Sequence, residues 1–219
     1  MKHFFIAIAS ILFAVACKQP APATVATSTP LKKVMDGNAR FAAVHPIHPD
    51  ESANRTHEIA EGQHPFAVVI ACSDSRVAPE LIFDEGLGDL FVIRTAGNII
   101  SEVELGSVEY AVEHLHVPLV IVMGHERCGA VEAMLSGALP HNHIKSIIDS
   151  LRNESEIKAI PVNDQQRLAH CVEANVRHGV KELLTQSTVI QEALHNGKLQ
   201  VVGAHYDLDD RKVRIITEQ

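Results

Sequence analysis

Chemistry-bearing residues gather twice in this chain, at Cys72-Ser73-Asp74-Ser75-Arg76 and at His125-Glu126-Arg127-Cys128. Each run ends a strongly apolar, β-branched stretch, residues 66–71 and 117–123, and in open α/β sheets ligands and catalytic groups collect at such strand ends. Two thiols and one imidazole facing a single crevice form a Cys₂His set, which holds zinc and leaves the fourth position open to water. Zinc polarises that water toward hydroxide, a nucleophile at moderate pH. Two thiolates donate more electron density than two imidazoles, so activity should lean to the alkaline side. Asp74 and Arg76 lie close enough to pair, and an Arg fork fixes a carboxylate's orientation. Beside a metal, a fixed carboxylate either accepts a hydrogen bond from the nucleophile and aims it, or fills the fourth position itself and closes the site.

The elements that must position these groups follow from periodicity. The continuous apolar run at 66–71 reads as a strand covered on both faces; 90–94, 117–123 and 199–205 read as further strands, and 212–217 pairs beside the last through a turn at 207–211. Helical spacing covers 31–43, 55–61, 79–83, 104–116, 129–136, 164–184 and 192–195, whereas 146–156 reads as a polar segment. Strands alternating with helices predict an α/β fold: a mostly parallel central sheet of four strands plus an antiparallel edge strand, flanked by helices. Cys128 opens the helix at 129, where backbone amides favour a thiolate.

The chain has 219 residues, 46% of them apolar, enough for one good core, with a formal charge of −8. That charge argues against a nucleic-acid partner. The absence of Trp and the presence of only 2 Tyr argue against stacking platforms for bases. Lys2, the apolar run 4–16 and Ala14-Val15-Ala16-Cys17 have the form of a signal peptide over 1–17 ending in a lipobox. Cys17 is then the lipid-bearing residue, 18–30 a disordered Pro/Ala/Thr/Ser linker, and 31–219 the folded domain. The expected location is outside the cytoplasm, as a periplasmic or cell-envelope lipoprotein whose only membrane contact is that anchor. Removing 1–17 leaves Cys72, Cys128 and Cys171, an odd set unsuited to a disulfide framework. Zinc would keep the first two as thiolates. Cys171 falls in a helical pattern as a small buried residue.

The sequence resembles the β-class carbonic anhydrases. The likeness runs through Cys72-Ser73-Asp74-Ser75-Arg76-Val77, Arg94 with Ala96-Gly97-Asn98, Gly106-Ser107-Val108-Glu109-Tyr110-Ala111, and Gly124-His125 with Cys128-Gly129. It implies reversible hydration of CO2 to bicarbonate and a proton by zinc-bound hydroxide, with one zinc per chain on Cys72, His125 and Cys128. Asp74 and Arg76 become the dyad that orients the nucleophile, Asp74 being also the fourth ligand of a closed state. Gln63 matches a glutamine that reaches substrate across a dimer interface in the plant-like branch, and a homodimer or homotetramer follows by the same resemblance. Two departures stand out. Glu126 replaces a small hydroxyl residue and is expected to point away from zinc. Val69 replaces a Trp of the bicarbonate-regulated branch, which removes one wall of its anion pocket even though Arg94 is present. Of the remaining histidines, His205 ends a strand and is a candidate to line the site. COS or CS2 as alternative substrates would be separated by comparing turnover, and a non-catalytic zinc-stabilised lipoprotein by a permanently closed metal site.

Overall fold

A computed structural model describes Met1 and residues 29–219. Cys17, the apolar run before it and residues 18–28 of the linker lie outside the described residues. The fold starts with α1 (Pro30–Ala42), where Pro30 occupies the first turn and the Thr29 hydroxyl accepts from Lys32 N at 3.2 Å. A serine cap likewise sets the start of α2 (Ala53–Glu58), two residues ahead of the expected position.

Next come β1 (Ala67–Cys72), α3 (Pro79–Ile82), β2 (Leu90–Thr95), a 3₁₀ turn (Ala96–Asn98) and α4 (Glu102–Glu113). The Ser101/Glu104 capping box fixes where α4 begins. After β3 (Leu119–His125) and α5 (Gly129–Leu135) the chain forms α6 (Ile144–Asn153), α7 (Ser155–Lys158), α8 (Arg167–Gln186) and α9 (Thr188–His195). It closes with β4 (Gln200–Tyr206) and β5 (Val213–Glu218).

The five strands run in the order β2-β1-β3-β4-β5. The first three pairings are parallel, and β5 alone is antiparallel, on the outer side of β4. Every residue of β1 and β3 is buried, as central strands covered on both faces require. Val34, Val69, Phe83, Ile121 and Met123 pack on the α1 side, and Val68, Ile70, Val122, Val176 and Val180 on the α4 and α8 side. Helix α8 comes very close to the sheet beside the metal-site residues: a Cβ on Gly124 would lie 2.6 Å from Val176 Cγ2. Glycine is therefore required next to His125.

Residues 146–156 differ from the polar segment expected. They form most of α6 and the start of α7, whose polar residues face water while Ile148, Leu151 and Ile157 join Cys72, Cys128 and Cys171 in a third cluster under the strand ends. Glu154, between these two helices, is 4% exposed, and its Oε2 has no hydrogen-bond partner. Burial, reinforced by Glu156 and Glu182, pushes its carboxyl up from 4.5 to about 8. A raised carboxyl supports the fold fully below pH 4.5, and that support is lost as pH climbs through 8. Glu154→Gln should therefore melt higher than wild type, by a margin growing from pH 5 to 8 and then levelling. The size at the plateau is on the order of 5 kcal/mol. Thermal melts across that range check it, and a margin independent of pH would contradict it.

Candidate metal centre

The strand order reverses between β1 and β3, and open α/β sheets keep a crevice at that switch point, beyond the strands' C-terminal ends. Cys72 is the last residue of β1, His125 the last of β3, and Cys128 the residue that opens α5. All three are buried, and their sulfur and nitrogen atoms lie within 4.8 Å of one another. The His125 Nδ1–H donates to the Glu126 carbonyl at 2.8 Å. That bond fixes the tautomer and leaves Nε2 as a bare lone pair. Nε2 is buried with no partner.

The two thiols cannot both ionise alone. A hydrogen bond from Cys128, against the cost of burial and helped by His125 and the Gly97 amide, lowers Cys72. The same contact with Cys72, with burial, raises Cys128, although the Ala130 and Val131 amides pull the other way. Two buried thiols beside an orphaned imidazole nitrogen are what a thiophilic divalent cation would complete. The residues fit zinc.

Asp74 and Arg76 meet in the predicted fork: Arg76 Nε donates to Oδ1 at 2.9 Å and Nη2 to Oδ2 at 2.7 Å, while the Arg76 amide adds a bond to Oδ1 at 2.9 Å. Arg76 holds the carboxyl well below the usual carboxylate range. Asp74 Oδ2 stands 3.9 Å from His125 Nε2, beside the metal pocket yet committed to Arg76. Glu126 turns away as expected, accepting from Leu208 N at 3.3 Å.

Two supports of the site were not read from the sequence. Gly97, at φ 74, turns its amide onto Cys72 Sγ at 3.3 Å. Arg94 donates to the Cys72 carbonyl at 3.1 Å and to the Asp74 carbonyl at 2.7 Å, bracing the loop that carries the dyad. The signal was present in Arg94 and the Thr95-Ala96-Gly97-Asn98 turn, but only strand pairing, Cys72 against Thr95, brings them to the thiol. His205 is buried on β4 opposite Gly124, with neither ring nitrogen bonded. Gln63 is exposed and precedes β1, so it lies at the strand end away from Cys72. Within one chain it does not join the site.

Fold and site together define an α/β protein with a Cys₂His metal-binding pocket at its switch point. A family profile described as "Carbonic anhydrase" matches residues 67–213. Carbonic anhydrase 2 of Mycobacterium tuberculosis is 41% identical over 186 residues, spanning 82% of this chain and 87% of that protein. Among solved structures, a β-carbonic anhydrase of the fungal pathogen Aspergillus fumigatus superposes with a TM-score of 0.66 at 31% identity, covering 85% of this chain and 88% of its own. One of two tetrameric β-carbonic anhydrases from Sordaria macrospora gives 0.65 at 28%, covering 76% and 91%. The chain belongs to the carbonic anhydrase family, in its β class, and the reaction that goes with it is the hydration of CO2.

Proposed function

We propose that this carbonic anhydrase works with one zinc ion per chain, held by Cys72, His125 and Cys128. The observation that carries this reading is the unpartnered, tautomer-fixed His125 Nε2 gathered within 4.8 Å of two buried thiols. Zinc bound there supplies the Lewis acidity that activates water for addition to CO2. The chain's own residues do the rest. Arg76 keeps both Asp74 oxygens occupied, so the carboxylate stays off the fourth position. Asp74 Oδ2 accepts a hydrogen bond from the nucleophile and aims it. Gly97 and Arg94 hold Cys72 and Asp74 in register. Stopped-flow CO2 hydration with metal analysis of the same preparation tests the proposal: activity that fails to track zinc content would reject it.

The working unit in this proposal is a homo-oligomer, dimer or tetramer. It is supported by the tetrameric Sordaria relatives and by the free side of edge strand β2. There Phe91 meets Tyr110 of α4 with centroids 6.4 Å apart, and α4 leaves Tyr110 46% and Val103 75% exposed. In such an assembly the partner copy's Gln63 is the one that reaches substrate.

Bicarbonate should not act as a cooperative switch. Val69 is fully buried and offers no side-chain N–H, and Arg94 is already engaged with two backbone carbonyls. The rate–pH curve should follow one proton with or without added bicarbonate beyond product competition. A slope clearly steeper than one proton would contradict it.

The location proposed is the cell envelope, with Cys17 lipidated after cleavage of the signal peptide and the Pro/Ala/Thr/Ser segment from 18 as tether to the folded domain, whose first helix starts at Pro30. Support comes from the sequence; among the described residues no helix is long and apolar enough to cross a membrane. Fractionation should find wild type in the membrane pellet and Cys17→Ala released. A wholly soluble wild type counts against lipidation.

A further inference from the structure

Asn175 is the buried polar residue of α8: it is 3% exposed and lies on the helix with the buried Cys171, Val172, Val176 and Val180. Asparagine is a poor helix former, and an amide in apolar surroundings is costly unless it is hydrogen-bonded. Its Nδ2 donates to the Gly97 carbonyl at 2.7 Å, and the Gly97 amide in turn donates to Cys72 Sγ at 3.3 Å. A single glycine thus links α8 to a metal-ligating thiol. Little within the turn itself fixes that glycine. Gly97 sits at φ 74 and ψ 20, a conformation that glycine adopts without strain and also leaves freely. A Cβ there would lie 3.1 Å from Ala130 Cβ, so a larger residue cannot wedge the turn in place. Asn98 follows at φ 46, and neither polar atom of its side chain has a hydrogen-bond partner. The Thr95 hydroxyl donates to the Ile99 carbonyl at 2.7 Å, which closes the loop without setting the tilt of the Gly97 peptide. Asn175 sets it.

The same helix bears on His125. Val176, the residue after Asn175, presses on Gly124 so closely that a Cβ there would meet it at 2.6 Å. Helix α8 therefore braces β3 one residue before the imidazole and, through Asn175, the turn that faces Cys72. We propose that Asn175 is a positioning residue for the carbonic anhydrase reaction: by holding the Gly97 carbonyl it aims the Gly97 amide at Cys72 Sγ, and so sets the place and the electron-donating strength of that thiolate. Hydrogen bonds to ligand atoms orient and tune metal sites. An N–H on sulfur withdraws electron density from it; without that bond the sulfur donates more strongly and is held less firmly. Asn175 acts through Gly97, and its role rests on metal binding at Cys72, His125 and Cys128.

The test replaces zinc in the full chain with cobalt(II), whose sulfur-to-metal charge-transfer band reports how strongly the thiolates donate. Asn175→Leu and Asn175→Met each put an apolar side chain of similar size in place of the donor, Met adapting more readily to the space, and either one that folds suffices. Each should move the band to longer wavelength than in wild type and, in the zinc form, release the metal to a chelator about tenfold faster or more. Each should also lower kcat severalfold with KM unchanged. Val180→Ala is the control: Val180 packs on β4 beside Gly203, so this variant loses core packing and keeps the Asn175 bond. Its melting temperature should fall while its band and zinc release stay those of wild type. A wild-type band and wild-type zinc release in a folded Asn175 variant, or the same shifts in Val180→Ala, would overturn the assignment and leave Asn175 a packing residue with a satisfied amide. A wild type that shows no sulfur-to-cobalt band at all would instead overturn the metal centre on which the assignment rests.

Discussion

His125→Ala and Cys128→Ser are expected to purify with far less than one zinc per chain and to lose CO2 hydration by a factor of about 10³ or more. The geometry makes the loss severe because each substitution removes one of only three ligand atoms gathered within 4.8 Å, and Asp74, the nearest other donor, is committed to Arg76. His125→Ala also strips the imidazole that the Glu126 carbonyl orients, leaving a buried void beside two thiols. Cys128→Ser keeps the shape of α5's first turn, so its fold should survive and its defect should be in the metal. Metal analysis, circular dichroism and stopped-flow rates on one preparation check this. Full zinc and full activity in either variant would remove the centre from the mechanism.

Much of this centre was legible because strand ends announce themselves. Two apolar runs stop at Cys72 and His125, the covered faces of β1 and β3 demand such runs, and the switch point between those strands gathers their ends. The Asp74–Arg76 fork was legible for a related reason: the partners are two residues apart, so local geometry settles the contact. What escaped depends on pairing or on faces. Gly97 and Arg94 reach Cys72 only through the parallel register of β1 with β2. Residues 146–156 look polar when counted along the chain. Spacing of Ile148, Leu151 and Ile157 hides an apolar face that only the third core cluster reveals. Gln63 is silent within a single chain because it enters β1 at the end away from the metal centre.

Arg76→Ala should abolish most activity, by about 10²–10³, while leaving zinc content unchanged. Arg76 touches none of the three ligands; it donates three hydrogen bonds to Asp74, one from its backbone, and one to the Arg127 carbonyl at 3.3 Å. Removing the guanidinium frees a carboxylate whose Oδ2 already lies 3.9 Å from His125 Nε2, and an ionised oxygen that close to a divalent cation has every reason to bind it. The freed Asp74 should then occupy the fourth position and exclude the nucleophile. Arg76→Lys should behave almost as badly, since an ammonium cannot span both carboxylate oxygens as a fork does. Adding Asp74→Asn to Arg76→Ala tests the direction of the argument: with the competing charge removed the fourth position reopens, so the double variant should recover part of the loss despite lacking the dyad. A crystal structure of Arg76→Ala with Asp74 turned away from the zinc, or a double variant no better than the single one, would show that the pair aims the nucleophile without gating the metal.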